Sequence, residues 1–292
     1  MFENFASQKF SLDGVDIFYR IGGQGPALLL LHGHPQTHMI WHKVADALSQ
    51  HFTVVAADLR GYGDSSRPAP DETHHTYSKR VMALDLVELM RSIGHERFCV
   101  LAHDRGARVA HRMAVDHLNS VQRMMLLDIA PTLAMYEQTN EAFARAYWHW
   151  FFLIRPAPLP ELLIKSNPQA YLSGVMDARS EGMKHFSTEA LQEYQRCLKI
   201  PGTAESMCED YRASASIDLE HDRYDLAQGT KLRCPVRVLW GENGAVGQCF
   251  DVLSEWQKVA VDVSGRELPS GHYIPEEVPD VLLEEAMSFF KA

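Results

Sequence analysis

The chain has 292 residues, of which 46% are hydrophobic and 23% charged, a composition typical of a soluble globular protein with a substantial core. Its formal net charge of −10 argues against nucleic acid or an anionic membrane surface as a partner, and means that any anionic substrate must meet a local positive site. The five cysteines form no C-x-x-C pair, so we expect reduced thiols and no zinc site. No apolar run approaches ~18 residues and the N-terminus has no basic, apolar leader, which predicts an unexported, cytoplasmic protein.

Strands and helices alternate in the first part of the chain. Alternating residues around Asp13-Gly14 predict a hairpin, and the apolar run 27–31 predicts a strand buried on both faces. A helical segment through Trp41, Val44 and Leu48 follows, and further strands are expected at 53–57, 98–102 and 124–128. This alternation predicts a doubly wound, mostly parallel sheet, with functional residues at the carboxyl ends of its strands.

The pattern changes after Pro131. Amphipathic helical segments, an aromatic cluster at 147–152 and a proline-rich turn at 155–160 occupy the middle of the chain, and the sheet resumes at 235–240 and 261–268. We therefore expect a core at residues 1–130, an inserted helical cap at 131–224, and the rest of the core at 225–292.

The stretch 98–108 is typical of a nucleophile elbow, in which a buried strand, a sharp turn and a helix follow one another. Ala102, Gly106 and Ala107 supply small residues, and Asp104 stands in the place of the nucleophile. A carboxylate that displaces a leaving group from saturated carbon forms an ester, which water can hydrolyse at the carbonyl carbon. Asp104 thus points to displacement at sp3 carbon. The alternative is an aspartate that only caps the following helix.

Two further residues at strand ends complete a candidate triad. The order Asp104, Asp128, His272 is the order nucleophile, acid, histidine found on the α/β-hydrolase fold. Asp128 would fix the tautomer of His272, and His272 would activate water. Glu242, after the strand that ends at Trp240, is the fallback acid, and each residue could also be an ordinary cap or turn residue.

Two glycine-containing turns lie between the early strands. The turn His32-Gly33-His34 directly follows a buried strand and is well placed to point a backbone N–H into a site. His32, His34 and His38 lack a carboxylate or cysteine at metal-ligand spacing, so a metal site is not favoured. The Gly-rich turn at 58–68 lacks the spacing of a phosphate-binding loop and is interpreted as structural.

Taken together, these motifs resemble those of the fluoroacetate (haloacetate) dehalogenases of the α/β-hydrolase fold, over nearly the whole chain. The matching residues are His32-Gly33-x-Pro35-Gln36, Asp58-Leu59-Arg60-Gly61-Tyr62-Gly63-Asp64-Ser65-Ser66, His103-Asp104-Arg105-Gly106-x-Arg108, Leu127-Asp128-Ile129-x-Pro131, Ala146-Tyr147-Trp148-His149-Trp150, Asp210-Tyr211-Arg212 and Gly271-His272. The first two of these motifs are shared with epoxide hydrolases. The arginine after the nucleophile, Arg105, and the Trp-His-Trp cluster at 148–150 are more specific to the dehalogenases.

The resemblance implies a sheet of about eight strands, a homodimer and no metal or organic cofactor. The substrate would be a small anion, a haloacetate, with its carboxylate held by Arg105 and Arg108. His149, Trp150 and Tyr211 would bind the departing halide, and the backbone N–H groups of His34 and Arg105 would form the oxyanion hole. The expected activity is hydrolysis of fluoroacetate or another short 2-haloacid to the hydroxy acid and halide, through an Asp104 ester and water activated by His272.

The chain departs from the family pattern in two places. His34 stands where some relatives have phenylalanine, and a pocket tryptophan expected near Asp177-Ala178 is missing. The missing tryptophan bears on the preference for fluoride more than on haloacid chemistry. Two other functions also stay open. The first is an epoxide hydrolase with the same triad, in which Tyr147 and Tyr211 would protonate the epoxide oxygen. The second is a hydrolase-fold ligand-binding protein that has lost catalysis.

Overall fold

The computed structural model describes residues 1–291. Its strands are β1 (Ala6–Leu12), β2 (Val15–Gly22), β3 (Ala27–Leu31), β4 (Thr53–Ala57), β5 (Phe98–His103), β6 (Val121–Leu127), β7 (Val236–Gly241) and β8 (Val263–Leu268). They form one sheet in the order β1-β2-β4-β3-β5-β6-β7-β8. The β1–β2 and β2–β4 pairs are antiparallel and the other pairs are parallel. The predicted fold class, an α/β-hydrolase sheet of about eight strands, is confirmed.

Helices cover this sheet on both faces and at one end. They are α1 (Ala45–Leu48), α2 (Lys79–Ser92), α3 (Asp104–Asp116), α4 (Thr132–Glu137), α5 (Glu141–Ala146), α6 (Trp148–Leu153), α7 (Leu159–Ser166), α8 (Pro168–Asp177), α9 (Thr188–Leu198), α10 (Thr203–Ser214), α11 (Ile217–Ala227), α12 (Ala245–Cys249), α13 (Val252–Val259), α14 (Ile274–Glu277) and α15 (Pro279–Phe290). Short 3-10 helices occur at His38–Trp41, His75–Tyr77 and Met183–His185. Among the described residues, no helix is long and apolar enough to cross a membrane.

The central strands are buried because helices cover both of their faces. All five residues of β3 and all six of β5 are buried, as the continuous apolar runs predicted. The segment through Trp41 and Leu48, expected to be helical, is divided into two short pieces. Thr37 caps the 3-10 turn at 38–41, residues 42–44 form a turn, and α1 begins at Ala45.

Helices α4 to α11 lie between β6 and β7, in the stretch where the sequence predicts a cap. Side-chain hydrogen bonds join this stretch to loops and helices at the carboxyl ends of the strands, among them those of Tyr62 with Asp210, Arg105 with Asp210, and His34 with Tyr171. The helices therefore close over that end of the sheet. The boundaries of the cap, 131 and 224, stay a prediction.

Candidate functional site

Asp104 sits at the junction of β5 and α3 with a positive φ of 45°, the strained turn expected of a nucleophile elbow. Two glycines make room for this turn. A Cβ on Gly33 would lie 2.4 Å from Cβ of Asp104, and a Cβ on Gly106 would lie 2.4 Å from the carbonyl oxygen of His32. Asp104 is buried, and its carboxylate faces the carboxyl end of the sheet, beneath the helices α4 to α11.

The two carboxylate oxygens of Asp104 have different surroundings. Oδ1 accepts a 2.9 Å hydrogen bond from the backbone N–H of His34, whereas Oδ2 has no hydrogen-bond partner among residues 1–291. Oδ2 lies 3.7 Å from Nε2 of His272. Burial opposes ionisation of Asp104, but neighbouring positive charges, among them Arg179 at 4.0 Å from Oδ2, outweigh it and hold the pKa of Asp104 well below its usual range. Asp104 is therefore an ionised carboxylate with one oxygen available for reaction.

His272 is held by Asp128 on its far side. Nδ1 of His272 lies 2.5 Å from Oδ2 of Asp128, while Oδ1 of Asp128 accepts from the N–H of Gly241. Burial, followed by the charge of Arg179, lowers the pKa of His272 well below its usual value. His272 is thus neutral, with Nε2 directed toward Asp104. Asp128 is the carboxylate on this histidine, and Glu242 is exposed.

Arg105 is tied down on one side and available on the other. Its Nε and Nη2 donate to Oδ2 and Oδ1 of Asp210, each at 2.8 Å, and Nη2 also donates to Ser214. Its Nη1 is buried and has no hydrogen-bond partner within the described part of the chain. We call a buried polar atom open when it has no hydrogen-bond partner among the described residues. The guanidinium stacks over the ring of Tyr211 at 4.1 Å.

Arg108 lies one helical turn farther along α3 and is held in a similar way. Its Nη1 donates to Thr132 at 2.9 Å and to the carbonyl oxygen of Ala130 at 3.3 Å, while its Nε is open. Its guanidinium lies 4.6 Å from the ring centre of Trp150. Neither arginine therefore has its whole guanidinium group free, and each keeps one open nitrogen, Nη1 of Arg105 and Nε of Arg108.

The three expected halide-binding side chains meet in the same region. His149, Trp150 and Tyr211 are buried, and both ring nitrogens of His149, Nε1 of Trp150 and the hydroxyl of Tyr211 are open. The ring centre of Tyr211 lies 5.9 Å from that of His149 and 6.2 Å from that of Trp150. Burial raises the pKa of Tyr211 well above its usual value and lowers that of His149, so both are uncharged. Together they are a set of neutral, buried polar groups, which would suit a small anion.

Arg179 is a site residue that the sequence reasoning missed. It follows α8 and donates through Nη1 to Nε2 of His272 at 3.0 Å and through Nη2 to the carbonyl oxygen of His34 at 2.9 Å. The sequence could have indicated it, because Arg179 directly follows Asp177-Ala178, where a pocket tryptophan was expected and is missing. The site thus contains a third guanidinium.

The neighbouring histidines have structural contacts. Nδ1 of His38 lies 2.9 Å from Asp58, and Nε2 of His32 accepts from the N–H of Leu59. Nε2 of His34 lies 2.9 Å from the hydroxyl of Tyr171, and its ring stacks on that of His149. These contacts fix the turn that carries the His34 N–H beside Asp104.

Comparison with known proteins gives the class of this site. Residues 26–175 match the family model described as the alpha/beta hydrolase fold. The chain belongs to the α/β-hydrolase fold family.

Individual relatives narrow this further. The chain is 43% identical to a fluoroacetate dehalogenase from Burkholderia sp over 96% of its own length and 92% of that protein. It is 34% identical to a soluble epoxide hydrolase from Corynebacterium sp. (strain C12), over 96% of this chain and 95% of the other. An α/β-hydrolase crystal structure from Nostoc sp PCC 7120 superposes with a TM-score of 0.97 at 52% identity, over 99% of both chains. The predicted resemblance to haloacetate dehalogenases is confirmed, with epoxide hydrolases as further relatives.

Proposed function

We propose that the protein is a haloacetate dehalogenase, which hydrolyses the carbon–halogen bond of fluoroacetate or another short 2-haloacid to give glycolate, or the corresponding hydroxy acid, and halide. The observation that carries the proposal is the pair of open guanidinium nitrogens, Nη1 of Arg105 and Nε of Arg108, on the helix that begins with an ionised Asp104. An epoxide has no charge to engage them. A 2-haloacid has a carboxylate next to the carbon to be attacked, and the fluoroacetate dehalogenase relative supports this substrate class.

Binding follows from the open donors. Nη1 of Arg105 and Nε of Arg108 each donate to one oxygen of the substrate carboxylate, which places its α-carbon near Oδ2 of Asp104. The halogen then lies on the far side of that carbon, toward the donors of His149, Trp150 and Tyr211. Because these side chains are buried, water does not compete for their hydrogen bonds during the reaction.

In the first step, Oδ2 of Asp104 attacks the α-carbon from the side opposite the halogen. The carbon–oxygen bond forms as the carbon–halogen bond breaks, and the halide departs with the bonding electron pair to the three donors. Fluoride carries the most concentrated charge of the halides and therefore depends most on them. The product of this step is a carboxymethyl ester on Asp104.

In the second step, water attacks Cγ of Asp104 and transfers a proton to Nε2 of His272. Oδ1 becomes the oxyanion and is held by the N–H of His34, which already donates to it, and by the N–H of Arg105. The tetrahedral intermediate then breaks the bond to Oδ2, and the leaving glycolate oxygen takes the proton back from His272. Asp104 ionises again with release of one proton. Asp128 stabilises the protonated histidine. The reaction needs no metal or organic cofactor, and we retain the expectation of a cytoplasmic homodimer.

The second candidate is an epoxide hydrolase, which the open hydroxyl of Tyr211 favours. A buried tyrosine with a raised pKa is protonated and can donate to an epoxide oxygen. The Corynebacterium epoxide hydrolase relative supports this alternative. In that reaction Asp104 and His272 would have the same roles, but Arg105 and Arg108 would have no anion to bind.

The test measures halide and glycolate release from fluoroacetate, chloroacetate and bromoacetate, with styrene oxide consumption alongside. We expect release by the wild-type protein, none by Asp104→Ala, and a loss of kcat/KM of roughly 10- to 100-fold in Arg108→Met, since a hydrogen bond to a charged group is worth about 1.5–3 kcal/mol. Consumption of the epoxide alone, unaffected by Arg108→Met, would establish the second candidate. No turnover of either class, with small ligands still bound, would indicate a non-catalytic binding protein.

A further inference from the structure

The guanidinium of Arg179 is fixed by four acceptors. Its Nε donates to the carbonyl oxygen of Val175 at 3.3 Å, its Nη2 to the carbonyl oxygen of His34 and to the hydroxyl of Tyr273, and its Nη1 to Nε2 of His272. The residue is only 7% exposed. Its own carbonyl oxygen accepts from the N–H of His272 at 2.8 Å, so Arg179 and His272 are joined through both side chain and backbone.

Three atoms of the site surround the space in which ester hydrolysis must occur. Nη1 of Arg179 lies 3.0 Å from Nε2 of His272 and 4.0 Å from Oδ2 of Asp104, and Nε2 lies 3.7 Å from the same Oδ2. A single water above the plane of these atoms is within hydrogen-bond distance, about 2.8 Å, of all three. A guanidinium donates and never accepts, whereas neutral Nε2 accepts, so the water would receive from Arg179 and donate to His272.

A cavity of about 190 Å³ lies against the same two residues. Its lining includes Arg179 and His272 together with the polar residues Ser180, Glu181, Asn243 and Gln248. Since a water takes up about 30 Å³ in the liquid, the cavity has room for several waters. Asp104 is not among the lining residues, whereas Arg179 and His272 both line the cavity and lie within 4.0 Å of Oδ2 of Asp104. These two residues therefore connect a space that admits water to the nucleophile.

We propose that Arg179 is a positioning residue for the second half-reaction, which orients the water that hydrolyses the Asp104 ester and directs its proton to Nε2 of His272. The inference rests on the ester intermediate of the proposed function, which the epoxide reaction shares. In this structure, Nη1 of Arg179 contacts Nε2 of His272 directly. Once Asp104 is esterified it loses its charge, and a water from the cavity takes the place between Nη1 and Nε2. Its oxygen bonds to Cγ, and the positive guanidinium stabilises the hydroxide character that develops as the proton leaves.

The charged and titratable groups around His272 come from several elements. They are carboxylates, guanidinium groups, phenols and a second imidazole. By position, they are Asp104, Arg108 and His103 at the elbow, Asp128 after β6, Tyr147 before α6, Arg179 after α8, and Tyr273 next to His272. Of these, only Arg179 donates a hydrogen bond to Nε2 among the contacts of the described residues. Removing its charge should therefore raise the pKa of His272.

The experiment compares the two half-reactions in wild-type protein, Arg179→Met and Arg179→Lys by rapid quench with chloroacetate. We expect Arg179→Met to release one equivalent of halide in a burst and to accumulate the Asp104 ester, with glycolate formation slowed roughly 10²-fold, the effect of losing one transition-state donor. The pH at which its rate of ester hydrolysis falls on acidification should be higher than in the wild-type protein, because the pKa of His272 rises. Arg179→Lys, which keeps a donor and a charge, should restore part of both.

The matched control is Arg112→Met, which removes another buried arginine that binds Asp116, Asp222 and Asp225 on α3 and α11. It should lower the free energy of unfolding without changing the ratio of halide to glycolate release. Equal slowing of both half-reactions in Arg179→Met, with an unchanged pH dependence of ester hydrolysis, would overturn the inference and leave Arg179 a structural residue. If the wild-type protein forms an ester only from epoxides, the comparison is made with styrene oxide. Absence of halide and glycolate release by the wild-type protein, with no ester in Arg179→Met, would refute the proposed function as well.

Discussion

Asp210 binds Arg105 through both of its carboxylate oxygens, and the same oxygens also accept from the hydroxyl of Tyr62 and from Lys79. Asp210 lies on α10, so a helix that closes over the sheet sets the direction of a guanidinium that belongs to the elbow. This pairing leaves Nη1 as the open nitrogen of Arg105. The orientation proposed for substrate therefore depends on a residue that does not contact it.

Replacing Asp210 by Asn should damage both the fold and substrate binding. The change leaves Arg105 and Lys79 buried without their shared countercharge, and breaking a buried ion pair costs about 3–5 kcal/mol. We expect that loss in chemical denaturation, together with a rise in KM for chloroacetate that exceeds the fall in kcat. An unchanged KM in the folded fraction would show that Arg105 does not bind the carboxylate. Arg212→Met, on the same helix but bound to Glu161 and Glu209, is the control for stability alone.

The halide pocket can be tested by removing one donor without changing its shape. Tyr211→Phe deletes only an open hydroxyl, so stability should be unchanged or slightly higher. The rate of halide release should fall most for fluoroacetate, less for chloroacetate and least for bromoacetate, because the smallest halide has the most concentrated charge. An equal loss for all three halides would place the leaving group elsewhere.

The depressed pKa of His272 determines the pH dependence of ester hydrolysis. The histidine acts as a base only when neutral, and burial together with Arg179 keeps it neutral below its usual pKa of about 6.5. As pH falls from 8, glycolate formation should therefore persist through about pH 6.5 and decline only at lower pH. A midpoint at or above pH 6.5, in a profile of kcat, would contradict the assigned environment of His272.

Gly33 should be essential for the position of the nucleophile. Gly33→Ala places a Cβ 2.4 Å from Cβ of Asp104, so the elbow must shift, and a displacement of about 1 Å can lower the rate about 10²-fold. Gly174→Ala is the matched control, because a Cβ there has open space and α8 would gain helix propensity. The control should retain full activity and gain up to about 1 kcal/mol of stability. Wild-type activity in Gly33→Ala would show that the elbow tolerates movement.

The sequence was most informative where the backbone alone places a side chain. Asp104, Asp128 and His272 each follow a predicted strand, so their meeting at one edge of the sheet follows from topology. The distance of 2.5 Å between Asp128 and His272 agrees with that expectation, although the catalytic roles stay predictions.

The contributions of the helices over the sheet could not be predicted in the same way. How α8 and α10 dock on the core depends on side-chain packing across the interface, which no periodicity encodes. Arg179 was missed for this reason. Similarly, Arg105 and Arg108 were expected to hold the substrate carboxylate, but the sequence did not predict that Asp210, Ser214 and Thr132 would bind part of these guanidinium groups.

The central claim is that Asp104 forms a covalent ester with a 2-haloacid, and His272→Asn tests it most directly. Without the base, the first step should proceed and the second should stall. Intact-mass and peptide spectra after incubation with chloroacetate should show one carboxymethyl group, located on Asp104, with one equivalent of chloride released. Unmodified protein from this variant, under conditions in which the wild-type protein releases halide and glycolate, would contradict the covalent account.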